Sequence, residues 1–126
     1  MSTLKLDTLS NKAGTASVPS DTVVSGTAKA WVSFNGTGTP AVLRAFNVSS
    51  ITDNGTGNYQ VNFTSSLANT TYSGQATAGG PNSGNSFTYH ATIHSRAVNS
   101  CGVNTTAYNV GTVLADSEQV HVAIFS

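Results

Sequence analysis

Three histidines, one close pair of acids, a single cysteine and two glycine-rich tetrapeptides are the places where this sequence could gather chemistry. In FTYHATIH, His90 and His94 alternate with Tyr89, Ala91 and Ile93, so the two share one face of an extended segment. Four residues along a strand span about 13 Å, whereas zinc holds each ligand at about 2 Å. The pair therefore does not chelate one ion within its own strand. His121 would have to join one of them across a ladder, or from a second subunit. Exposed or hydrogen-bonded histidines are the plainer reading, and no metal is expected.

Asp116 and Glu118, two apart on an extended chain, would face the same way at about 6–7 Å, a separation glycosidases use between catalytic carboxylates. Such carboxylates come from separate elements lining a cleft, and this pair falls in a loop-like stretch. Gly-x-Ser-x-Gly does not occur. With charged residues at 8% of the chain, there is little from which to build a tuned acid–base pair. No catalytic residue, no cofactor and no enzyme activity are expected. Cys101 is alone, which excludes an intrachain disulfide. A reactive thiol wants a cationic neighbour; Arg96 is the nearest, and a buried, inert thiol is the simpler expectation. Six Asn-x-Ser/Thr sequons reflect a chain rich in those residues, and none is read as glycosylated.

Asn-Gly-Thr-Gly occurs at 35–38 and again at 54–57. A phosphate cradle would need a helix opening after the glycines, and no helical stripe follows. Each tetrapeptide lies instead between strand-like runs. Asn-Gly is a strong hairpin signal because primed turns need positive φ, which both residues adopt cheaply. Both are expected to be turns.

The elements that carry these residues alternate with period two. Tyr59, Val61 and Phe63 alternate with Gln60, Asn62 and Thr64, and Val120, Val122 and Ile124 with His121 and Ala123. Such alternation marks half-buried strands. Further strands are expected at 30–34, 42–51, 71–78, 87–94 and 105–113. The expected fold is all-β: an antiparallel sandwich or jelly-roll-like domain of about seven or eight strands. If neighbouring strands simply reverse, loops 35–41, 65–70 and 95–104 lie far from the N-terminal segment, and loops 52–58, 79–86 and 114–118 lie near it. Tyr72, Tyr89 and Tyr108 fall in strands and read as core. Trp31 reads as a core or interface anchor rather than a ligand-stacking platform.

Residues 1–28 differ from 29–126. Leu4, Leu6 and Leu9 are the apolar marks of the first segment, followed by a Gly/Ser/Pro-containing stretch with no long periodic run. Ordering backbone costs about 1–2 kcal/mol per residue, so this extended segment must dock, be stapled between subunits, or be flexible. Gly, Ser, Thr and Asn make up 59 of the 126 residues, and the formal net charge is zero. Neutrality removes the basic footprint of nucleic-acid binding and a polybasic membrane patch. No apolar run reaches the roughly 18 residues of a membrane helix, and Met1–Leu9 has no signal-peptide core. An under-charged Thr/Ser/Asn surface suggests contact with other subunits.

AKAWVSFNGTG (28–38) and FNVSSITDNGTGNYQVNFT (46–64) resemble bacteriophage tail-fibre-like proteins, especially those of cyanophages and other marine phages. LKLDTLSNKAGT is similar to the Leu-Lys-x-Asp-Thr-Ile/Leu segments of such fibres, and the closing VHVAIF to their strand rhythm. The resemblance implies a homotrimeric virion protein, made in the host cytoplasm. Its N-terminal segment would face other virion proteins and its β-domain a host surface glycan or protein. Many tail fibres are far longer than 126 residues, which suggests a short fibre, tip or adaptor. On that view Leu4, Leu6, Leu9 and Trp31 are candidates for the subunit interface. Asn35, Thr37, Asn69, Arg96, Asn99 and Asn104 are the receptor-binding candidates. A purely architectural role, decorating the capsid or joining the tail, is the alternative.

Overall fold

The structure, a computed structural model, describes residues 1–80, 88–108 and 112–126. Phe87, most of the expected 79–86 loop and the 109–111 part of the expected 105–113 strand lie outside the described residues. The chain folds as an antiparallel β-sandwich. One sheet has the order β4(Ala41–Phe46), β3(Ala30–Asn35), β11(Gln119–Phe125), β7(Ser73–Gly79). The facing sheet runs β5(Val48–Asp53), β6(Asn58–Phe63), β9(Ser100–Tyr108), β8(Thr88–His94), with β10(Thr112–Leu114) also paired to β9.

Strict alternation puts one side chain in two between the sheets. Ala30, Val32 and Phe34 of β3 and Val120, Val122 and Ile124 of β11 meet Tyr59, Val61 and Phe63 of β6 and Cys101 and Val103 of β9. Phe34 and Tyr59 pack edge to face with centroids 5.3 Å apart, as do Phe63 and Tyr72 at 6.3 Å. Each fully buried Val or Phe is worth about 1.5–3 kcal/mol, so these strands carry the stability of the fold.

The expected strand over 42–51 is two strands. Asn47 breaks it in the left-handed region at φ 53°. Its side-chain amide donates to Lys29 O and Ser65 O, both at 3.1 Å, and its Oδ1 accepts from Ser65 N at 2.7 Å. There the chain reverses and crosses from one sheet to the other. This extra reversal corrects the expected sorting of the loops. Residues 36–40, 54–57 and 115–118 share the end far from the N-terminal segment, whereas 64–72 and 95–99 share the end where that segment joins. The expected 105–113 strand likewise divides between the end of β9 and β10.

The N-terminal segment is not simply extended. β1(Thr8–Ser10) and β2(Ser17–Pro19) form a hairpin, and α1(Ser20–Gly26) follows. No residue from 1 to 29 is buried. Two turns of helix without a side-chain N-cap are marginal alone. Thr27 Oγ1 donates to Val23 O at 2.6 Å, and Lys29 Nζ donates to Val24 O.

Candidate functional site

At the far end, the two Asn-Gly-Thr-Gly turns converge on one segment, Ala115–Ser117. Gly36 N donates to Ser117 O at 2.8 Å. Gly57 N donates to Asp116 Oδ1 at 2.8 Å, and Gly57 O accepts from Thr105 N at 2.8 Å. The Tyr59 hydroxyl lies between the two turns, 2.9 Å from Asp116 Oδ1 and 3.0 Å from Gly36 O. Thr105, buried, closes the knot by donating to Ala115 O at 2.6 Å. Burial, then the neighbouring carboxylate, pushes the Tyr59 phenol up to about 12. Asp116 is thus engaged in holding turns together, while Glu118 is exposed. The repeat is used as paired turns, and its second copy is locked by residues about sixty positions away.

The receptor-binding candidates do not converge. Asn35 and Thr37 sit at the far end, where Asn35 Oδ1 accepts from Thr37 N at 2.9 Å and Thr37 Oγ1 at 2.6 Å. Asn69 makes the same turn at the opposite end, accepting from Thr71 N at 3.0 Å and Thr71 Oγ1 at 2.8 Å. Arg96 and Asn99 share that end with Asn69. Asn104 is not in a loop: it lies within β9, its Oδ1 3.1 Å from His94 Nε2.

What gathers near Arg96 is a cleft of about 750 Å³ where the edges of β7 and β8 leave the sandwich open. Thr70, Thr71 and Gly74 form one side, and Thr92–His94, Ser95 and Arg96 the other. Gly74 packs closely there: a Cβ would stand 2.5 Å from Ile93 Cδ1, the far end of a flexible side chain. Ser95 adopts φ 45° and its hydroxyl lies 2.9 Å from His94 Nδ1. Arg96 donates to Tyr72 O at 3.2 Å, which folds the guanidinium back over the cleft. Sequence reasoning named Arg96 as a receptor candidate and His94 only as a possible metal ligand, and it missed Thr92 and Ser95; Asn69 is not part of the lining.

Trp31 is half-buried and alternates with the buried Ala30 and Val32, so it stands on the outer face of its sheet, not in the core. A groove of about 400 Å³ beside it is lined by Ser33, Gln75, Thr77, His121 and Ala123. His121 pairs with Ser33 and Thr77, in the sheet opposite His90 and His94, so no ladder brings the three together. Among the described residues, no three metal-ligating side chains cluster. Tyr72 is buried, but Tyr108 is 68% exposed, against its expected place in the core. Cys101 is fully buried, and burial pushes its thiol up to about 11. Among the described residues no helix is long and apolar enough to cross a membrane. Compared with known proteins, the chain matches no protein-family model, and no curated protein or solved structure shows significant similarity to it.

Proposed function

We propose that this chain is a phage virion protein, a short trimeric tail fibre or tip that recognises a glycan on the host surface. The observation that carries this reading is the contrast between a sandwich with its own core and an N-terminal segment with none. Leu4, Leu6 and Leu9 are 81%, 45% and 52% exposed. A segment that buries nothing does not offset its own ordering entropy, so contacts from outside its chain hold it. Equivalent segments wrapping together at a threefold axis supply those contacts, and other virion proteins meet the same region.

A second exposed surface fits the same assembly. β4 ends its sheet, and all six of its residues are exposed, including Val42, Leu43 and Phe46. Apolar edge strands of this kind pair with other chains. The motifs at 28–38 and 46–64 support the choice of a fibre, and hydroxyl-rich loops support a glycan as the ligand. The role is binding rather than catalysis, since Asp116 is engaged in turn structure. An architectural role as capsid decoration or tail adaptor is the second reading. It is favoured by the same unburied segment and open edge, which would suit a virion partner equally.

Labelled protein added to cyanobacterial cells tests the choice. Saturable binding, competed by polysaccharide extracted from the same cells, is expected of a host-recognition protein. No binding to any susceptible strain, with copies spread over the capsid lattice by cryo-electron microscopy, would establish the architectural reading instead.

A further inference from the structure

We propose that the β7–β8 cleft is a binding site for acidic saccharides, gripped through Arg96. Three independent features point there. The first is shape: about 750 Å³ lies within the range of roughly 300–1,000 Å³ typical of small-ligand sites. Its lining is rich in hydroxyls, from Thr70, Thr71, Thr92 and Ser95, which donate and accept as sugar hydroxyls do.

The second is the state of Arg96. A guanidinium has five N–H donors in a fixed fork, and a single backbone carbonyl, Tyr72 O, accepts from this one. Among the described residues no acidic side chain pairs with it, and residues 81–87 and 109–111 contain no acid. The fork is therefore held in place with donors to spare, an arrangement that suits bidentate recognition of a carboxylate or sulfate.

The third is the charge layout. The sandwich carries three acids, Asp53, Asp116 and Glu118, all at the end opposite the cleft. Lys29 and Arg96 lie at the cleft end, while Arg44 sits midway along β4. Within the sandwich, an end that carries cations and no acidic side chain favours anions over cationic ligands, and the segment that joins there adds Asp7 and Asp21 balanced by Lys5 and Lys12. Ser95 adds a local sign of a shaped site, since a non-glycine residue in the left-handed region persists only where its surroundings hold it.

The identity of the ligand as a surface glycan rests on the attachment reading; the grip on an anionic sugar does not. The test uses the full-length protein with three immobilised polymers, polygalacturonate, dextran sulfate and neutral dextran, in 50 mM and 500 mM salt. The expected result is salt-sensitive binding to at least one charged polymer and none to dextran. Which charged polymer binds tells carboxylate from sulfate. Arg96→Gln should weaken that binding at least tenfold with an unchanged melting temperature, Arg96→Lys should fall between, and Arg44→Gln should leave it intact. Absence of binding to both charged polymers, equal binding to dextran, or equal weakening by Arg96→Gln and Arg44→Gln would overturn the proposal. Adsorption to cells is scored separately. Cells bound without polymer binding would sink this site alone, whereas polymer binding without adsorption would sink the attachment reading alone.

Discussion

Gly38 and Gly57 close the two Asn-Gly-Thr-Gly turns with almost the same backbone, φ 64° and 62°, in unlike surroundings. A Cβ on Gly38 would meet nothing within 4 Å, whereas one on Gly57 would stand 2.5 Å from Thr105 O and 2.6 Å from Ala115 N. Gly38→Ala should therefore cost about the 1–2 kcal/mol of left-handed strain. Gly57→Ala should cost clearly more, because rigid backbone must move; equal losses in denaturant melts would contradict the knot. Tyr59→Phe, which deletes the hydroxyl between the turns, should cost about 1–3 kcal/mol. The buried titratable groups also set a pH limit. Cys101 is raised from 9.0 to about 11, and Tyr59 and Tyr72 from 10.0 to about 12, all chiefly by burial. Each folded-state group holds its proton more tightly than the unfolded one. Their contribution is complete below about pH 9 and is lost as pH rises toward 12. Thermal melts should fall from pH 9 upward, and Cys101→Ala should delay the first part of that fall.

At the scale of elements, β4 presents an open sheet edge along which every residue is exposed. Lys at an edge discourages strand addition, so Leu43→Lys should reduce self-association without lowering the melting temperature, because Leu43 is 63% exposed. Association unchanged by Leu43→Lys would exclude the β4 edge from the subunit contact. β6 and β11 were legible in the sequence because Tyr59, Val61 and Phe63, and Val120, Val122 and Ile124, announce a buried face by alternation alone. The reversal at Asn47 was not legible. It has no Gly or Pro, and it is held by hydrogen bonds to residues eighteen positions away in both directions. Missing that one reversal exchanged the ends assigned to the later loops, which is why Asn35 and Thr37 separate from Asn69, Arg96 and Asn99. The cleft was partly legible: Arg96 stood out as a polar loop residue, but the β7–β8 opening depends on sheet pairing between residues distant in sequence. The hairpin and helix of the N-terminal segment gave no periodic signal, since neither buries a face.

For the whole molecule, the sandwich is stable through its own core while residues 1–29 contribute no buried side chain. The account requires that segment to find its partners in other copies. The deciding measurement is the solution mass of the full chain by light scattering after size exclusion, beside a Leu4→Ser, Leu6→Ser, Leu9→Ser variant. The account predicts a mass near three times the 12.9 kDa chain, and a folded species of lower mass for the variant. A wild-type monomer, or a trimer indifferent to the three leucines, would contradict it.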